Sequence, residues 1–355
     1  MKTKRLIVFS VYSLILASSS VLGQDRITYY DRSKKADVVA TGAIEEETPA
    51  KVVYKTTSGR REVAAGDIID IAYEVPAGVR LDYYNPAVSQ ERQADKAAND
   101  TDRRKLLTSA LNNFKEALTR LDQKAKLFAR RHVQFKVAQL TARLADDDRS
   151  QDDAAIEALE SFKKAHPDGW QIVPCARLLA RLQMHKEDYE GALKTYEDLA
   201  KTPNLTKEVQ QEAELLAAQA LTRAKRYAEA QKRLQATLKS LPADDRQVDR
   251  VQVCLAECQA GTGQFAAAIK QLESIINKTN DNSLKALAYN TLGHCYLENS
   301  QPRDAMWAYL WVDVVYNQDK QEHRKALEQL ATLFEKRFKD ENRAKEYRDR
   351  LQKSR

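Results

Sequence analysis

Turn-forming residues are scarce: glycine and proline number 10 and 8 among 355 residues. A chain so poor in breakers is not a loop-rich β fold throughout. Its 31% charged and 43% hydrophobic composition instead favours helices with one buried and one solvated face. Cysteine is equally rare, at Cys175, Cys254, Cys258 and Cys295, with no CxxC pair and no histidine spacing for zinc. The five histidines, His132, His166, His185, His294 and His323, stand singly. No P-loop, GxGxxG, GxSxG, HExxH or Asp-rich calcium loop occurs. These absences argue against a familiar enzyme class and imply no cofactor and no metal.

Charge of one sign is in short supply too. The formal net charge is +7, of which Lys2, Lys4 and Arg5 provide three, leaving +4 on the rest. Such a mild excess aids solubility and is poor support for a nucleic-acid binder. Lys2, Lys4 and Arg5 open a segment whose apolar stretch, Leu6 to Ala17, leads to small residues around Val21 and Gly23. That pattern predicts a secretory signal peptide over 1–23, cut near Gly23, and an exported protein, periplasmic or extracellular. The stretch is short for a membrane span, and no later segment approaches one.

Residues 24–84 predict a small all-β domain. Ile27–Tyr30, Val38–Ile44, Lys51–Lys55, Arg61–Val63 and Ile68–Tyr73 are short β-branched or aromatic runs separated by Thr48-Pro49 and Ser58-Gly59. Five such strands suggest a curled, barrel-like antiparallel sheet, with Asn85-Pro86 as its end. The segment resembles small barrels of the Sm-like or Src-homology type. Such barrels bind peptides or nucleic acid in some proteins and merely fold in others, and structural packing or docking is the expectation here.

From residue 85 to 355 the pattern is helical and repeats itself. Ala155, Ala192, Ala230, Ala268, Ala305 and Ala344 follow one another at intervals of 37–39 residues. A large residue stands four positions after Ala192, Ala230, Ala268 and Ala305, at Tyr196, Leu234, Leu272 and Tyr309. Tyr189, Tyr227 and Phe265 stand three positions before their alanines, and Pro167 and Pro242 twelve positions after theirs. Tyr289, Leu292-Gly293, Tyr296, Ala305 and Tyr309 complete one unit. This constellation resembles the tetratricopeptide family. The resemblance implies antiparallel helix pairs, about seven hairpins here, stacked into an α-solenoid. The period exceeds the family's 34 residues, and most Leu-Gly positions are Leu-Ala or Ala-Ala. The first hairpin pairs a helix near Val88–Ala98 with one carrying Ala110, Phe114 and Ala117, and a long helix over Lys126–Leu144 follows.

The family resemblance also implies a concave groove lined by first helices, where a protein or peptide partner is held. Counting fifteen and eleven positions back from the key alanines gives Arg177 and Arg181, Leu215 and Gln219, Val253 and Glu257, and Asn290 and His294. Arg177 and Arg181 suit an acidic segment. Cys254 falls near this surface as the one candidate for a reactive thiol, although all four cysteines fit better as small buried filler. On the second helix of the sixth hairpin, Trp307 and Trp311 replace the Lys194 and Asp198, Lys232 and Ala236, or Lys270 and Ser274 of sister units, and Val314 continues the stripe. Either a partner (a second copy included) covers this stripe, or the C-terminal helices or the β domain fold over it. The expected function is an exported interaction scaffold. The alternative is a polyanion or nucleic-acid binder using Arg103, Arg104, Lys105, Lys124, Lys126, Arg130 and Arg131. Acids are interspersed among those cations, and no aromatic platform accompanies them.

Overall fold

The computed structural model describes residues 25–353 except 35, 74–77, 123, 124, 126, 243, 244 and 246. The leader at 1–23, together with Lys124 and Lys126, lies outside the described residues.

The β domain contains β1 (Asp25–Asp31), β2 (Ala36–Glu47), β3 (Lys51–Thr56), β4 (Gly59–Ala64) and β5 (Ile68–Ala72), all pairing antiparallel in the order β4-β3-β2-β1-β5. The long strand β2 makes the sheet curl, because its first half pairs with β1 and its second half with β3. Gly42 sits at the changeover, where a Cβ would meet the Lys55 carbonyl oxygen at 2.5 Å. A bulge between Ile44 and Glu46 adds to the bend. Strands β4 and β5 form the two edges.

Fourteen α-helices follow among the described residues, and they pair as seven hairpins. They are α1 (Leu81–Ala94) with α2 (Asp100–Thr119), α3 (Leu127–Asp147) with α4 (Asp152–Ala165), α5 (Ile172–His185) with α6 (Tyr189–Ala200), and α7 (Lys207–Arg223) with α8 (Tyr227–Ser240). Then come α9 (Gln247–Gly261) with α10 (Phe265–Lys278), α11 (Asn282–Glu298) with α12 (Pro302–Val314), and α13 (Lys320–Leu333) with α14 (Glu341–Lys353). A π-helical turn, Phe334–Phe338, extends α13.

Each of the six expected key alanines is fully buried between helices, and beside the first five a large side chain four residues on fills the groove: Leu159, Tyr196, Leu234, Leu272 and Tyr309 are all buried. Gly293 shows how close the helices come, since a Cβ there would lie 2.6 Å from the Tyr309 ring. The turn inside each of the last five hairpins carries one left-handed residue: Glu187, Lys225, Gly263, Ser300 and Lys339, with φ of 61°, 59°, 83°, 60° and 57°. Each stands five residues before its key alanine. In the first four of these turns the next residue's N–H closes back on the first helix, as Asp188 does on the Gln183 carbonyl and Arg226 on that of Leu221.

One boundary differs from the sequence expectation. Helix α1 begins at Leu81 and runs through Asn85-Pro86, which the sequence suggested as a break. Pro86 is only the sixth residue of the helix, where a missing N–H removes a single intrahelical bond, and buried Tyr84 and Ala87 hold the segment against α2 and α3. The first helix is therefore shifted toward the N-terminus from Val88–Ala98. The long third helix, α3, is as expected.

First helices pack directly on first helices, α3 on α5, α7 on α9, α9 on α11 and α11 on α13, and second helices make no comparable contact among the described residues. The inner layer is thus the shorter one, which curves the solenoid. The β domain lies against that inner layer at its N-terminal end. Ile27, Val52, Tyr54, Val63, Ile71 and Tyr73 share one core with Phe135, Leu159, Phe162, Trp170 and Leu179. Its turn at Gly66 approaches Val209 on α7, where a Cβ would come within 2.5 Å of the valine side chain.

Candidate functional site

Two surfaces were singled out in the sequence, the inner groove and the tryptophan stripe. At the groove's N-terminal end the occupant is the chain's own β domain. Arg177 is bound on both sides: its guanidinium donates to both Glu212 carboxylate oxygens at 3.0 and 2.6 Å and reaches the Gly66 carbonyl at 3.5 Å. Arg181 donates to Asp146 at 2.8 Å. Both arginines therefore already hold acidic groups within the chain.

Further along, the upper groove positions Leu215 and Val253 are buried between neighbouring first helices. The positions one turn on, Gln219, Glu257 and His294, stay partly accessible. Gln219 donates to the Cys254 sulfur at 3.4 Å. Asn290 is partly accessible, and its amide donates to the Glu322 carboxylate at 2.8 Å and backbone carbonyl at 3.0 Å, tying α11 to α13. The Asn290 Oδ1 and His294 Nδ1 atoms are buried and without a hydrogen-bond partner among the described residues. The open part of the inner layer is thus a mixed polar strip along α7, α9 and α11.

Cys254 is not a reactive thiol at this surface. It is buried at 3% exposure, and that burial pushes its pKa up to about 12. Burial likewise raises Cys175 and Cys295 to about 12 and Cys258 to about 11, and all four are free thiols.

The tryptophan stripe stands open. Trp307 is 61% exposed, Trp311 46% and Val314 69%, joined by Val315 at 41%. Neither the C-terminal hairpin nor the β domain covers them. Trp311 nevertheless has a fixed seat: its ring stacks on Tyr289 at 5.9 Å between centroids and lies 6.3 Å from Tyr316. Tyr289 stacks in turn on Tyr316 at 5.5 Å, and the Lys285 ammonium sits 5.5 Å from the Tyr316 ring. The stripe is a rigid aromatic tile, with Trp307 beside it.

The basic run 103–131 looks different in space. Arg103 pairs with Asp147 and Arg104 with Asp148, both at 2.5 Å. Arg131 is buried and ion-paired to Glu47 of β2. The sequence offered no sign of this, because Glu47 lies 84 residues away. Burial of two opposite charges together is favourable only with further hydrogen bonds, and the network supplies them. The Tyr73 hydroxyl donates to Glu47 at 2.5 Å and accepts from the Trp170 indole at 3.2 Å. Beside it Lys136, also buried, pairs with Asp70 at 3.1 Å and Glu91 at 3.2 Å. Burial alone would push Lys136 down, but those two carboxylates more than offset it and raise it. Arg131 and Lys136 thus fasten the sheet to α3, while Arg103 and Arg104 tie α2 to the end of α3.

An open cleft between the end of β5 and α1 is lined by Tyr73, Tyr84, Ser89, Arg92 and Lys96, and includes none of the groove or stripe residues. Among the described residues no three His, Cys, Asp or Glu side chains cluster to hold a metal ion, and no helix is long and apolar enough to cross a membrane.

No family model matches the sequence, and comparison with curated proteins finds no match. Solved structures do resemble it. The apo form of RapI has 15% identity and a TM-score of 0.51, covering 77% of this chain and 76% of its own. A tetratricopeptide repeat protein from Parabacteroides merdae ATCC 43184 has 14% identity and a TM-score of 0.48, covering 74% of this chain and 99% of its own. NprR in complex with its cognate peptide NprX has 15% identity and a TM-score of 0.45, covering 77% of this chain and 78% of its own. The fold is a tetratricopeptide-type helical-hairpin solenoid preceded by a small five-stranded antiparallel sheet.

Proposed function

We propose that this chain is an exported interaction scaffold whose solenoid holds a protein or peptide partner along the inner layer of α7, α9 and α11. The observation that carries this reading is the division of that layer. Its N-terminal end is filled by the β domain, whereas Gln219, Glu257, Asn290 and His294 line the part left open. The β domain serves as a packed wall that ends the groove. Export rests on the basic and apolar leader at 1–23. N-terminal sequencing of the secreted or periplasmic protein should then begin near Gln24, and a start at Met1 would refute cleavage.

A photo-crosslinking residue placed in turn at Glu257 and His294, on the inner layer, tests the groove. Residues Lys194 and Lys232, on outer helices, serve as controls. Both inner positions should capture the same partner from the native compartment, and the outer positions should not. Equal capture from all four would remove the groove from the account. Heparin retention separates the polyanion alternative: with Arg103, Arg104 and Arg131 engaged in internal pairs, early elution at low salt is expected.

A further inference from the structure

The tryptophans of the aromatic tile lie on α12, an outer helix, apart from the groove positions. We infer that the tile is a self-complementary surface on which a second copy of this chain docks, α12 against α12 and antiparallel about a two-fold axis.

Three observations point to a second copy. The first is the placement of the two tryptophans. Helix α12 spans Pro302–Val314, and Trp307 and Trp311 straddle its centre by one turn. An antiparallel partner helix related by a two-fold axis midway between the tryptophans lays Trp307 of one copy against Trp311 of the other, twice. Such an isologous contact needs only one patch. The second is charge. Arg303, exposed in the first turn, then meets the C-terminal end of the other α12, where carbonyl groups carry negative partial charge. Asp304, held within the chain by Gln301, faces the end that bears Lys285 and Lys320. Arg303 thus finds carbonyl groups, and Asp304 finds lysines, at the facing end of the other copy.

The third is area. Trp307, Trp311, Val314 and Val315 together expose on the order of 400 Å² of mainly apolar surface, about half of one face of a standard interface. Arg303, the partly exposed Leu310 and the Tyr316 ring supply the rim. Trp311 is held in place by Tyr289 and Tyr316, so little side-chain freedom is lost when it docks.

Sedimentation of the purified protein over a range of concentrations should show a reversible dimer. The double change Trp307→Lys, Trp311→Lys restores the polarity of sister hairpins and should weaken association by about a hundredfold or more, with the melting curve of the monomer retained. Cysteine cross-linking reports the register in folded protein. In the antiparallel pair, position 303 of one copy lies within one residue's rise of 314 of the other, whereas 303 and its own equivalent are roughly 18 Å apart along the axis. Arg303→Cys combined with Val314→Cys should therefore form a covalent dimer on mild oxidation, and neither change alone should. The four native thiols are buried and stay out of this reaction. A wild-type protein that remains monomeric at all concentrations would overturn the proposal, as a patch reserved for another partner would give. So would a dimer unaffected by the lysine pair, or cross-linking by either single cysteine as efficient as by both.

Discussion

Arg350 on the last helix grips Asp313 on α12 with two guanidinium nitrogens, at 2.9 and 2.5 Å, and Asp313 is only 4% exposed. His323 on α13 adds a third contact to the same carboxylate at 2.8 Å. One buried acid thus collects both helices of the terminal hairpin onto the sixth. Replacing Arg350 by Ala leaves that carboxylate buried with one partner fewer. The loss expected is about 2 kcal/mol, below that of a fully buried pair because the guanidinium is partly solvated. Hydrogen exchange should show it first in α13 and α14. Unchanged protection there would mean that apolar packing by Leu327, Leu330 and Phe334 holds the hairpin by itself.

The junction between sheet and solenoid should respond to acid through His132. This ring is buried among Tyr73, Tyr84 and Lys136, and its Nε2 lies 3.0 Å from the Tyr84 hydroxyl. Burial, reinforced by the Lys136 charge and opposed by Asp70, lowers its pKa from 6.5 to about 3. The unfolded chain takes up this proton near pH 6.5, and the folded chain does so only near 3. The stabilisation is therefore full above pH 6.5 and falls through the interval down to about 3, by up to about 1.4 kcal/mol per pH unit for this group. His132→Gln keeps a polar atom near the Tyr84 hydroxyl and removes the titration. Urea midpoints of wild type and variant should differ most at neutral pH and converge or cross toward pH 4. Parallel profiles would assign the acid sensitivity to other groups.

Cysteine reactivity gives a third check. With thiol pKa values pushed by burial to about 11 or 12, iodoacetamide should label none of the four residues in the native protein at pH 8 and all four in denaturant. Rapid native labelling at Cys254 would restore the surface role that its place in the repeat first suggested.

The repeat was legible because its signal is local. A small residue, a large one four positions on and a tyrosine or phenylalanine before them are imposed by a helix pair whose contacts lie within one hairpin. Five strands were legible for the same reason, as short β-branched runs between turn residues. What the sequence hid is long-range. Nothing near Arg131 announces Glu47, so a buried ion pair read as part of a basic patch. Arg177 and Arg181 read as a free acid-binding pair until Glu212, Asp146 and the Gly66 turn came into place around them. The position of the β domain on the inner layer has no local signature either, because the apolar faces of both units look alike before they meet. Trp307 and Trp311 were conspicuous by contrast with their sister repeats, and exposure could be decided only in three dimensions.

One periodic element has no residue signature because its residue type varies. The left-handed turn position is Glu187, Lys225, Gly263, Ser300 and Lys339, so a search for glycine finds one repeat in five. The backbone demand is the same in each. A side chain in this conformation crowds its own carbonyl, a strain that glycine does not feel, although glycine loses more freedom on folding. Lys225→Gly should therefore raise stability by roughly 0.5–1 kcal/mol, and Ser300→Gly by a similar amount. Gly263→Ala should lower it by roughly 1 kcal/mol. That change is a clean probe, since a Cβ at residue 263 meets nothing within 4 Å and the cost is confined to the backbone. Denaturant titration of the three single variants and of Lys225→Gly combined with Gly263→Ala checks the account. The combination should fall close to wild type, because the two turns are separated by helices α8 and α9. Destabilisation by Lys225→Gly would show that the lysine side chain contributes more than its backbone strain costs, and that the turn is not the equivalent site the spacing implies.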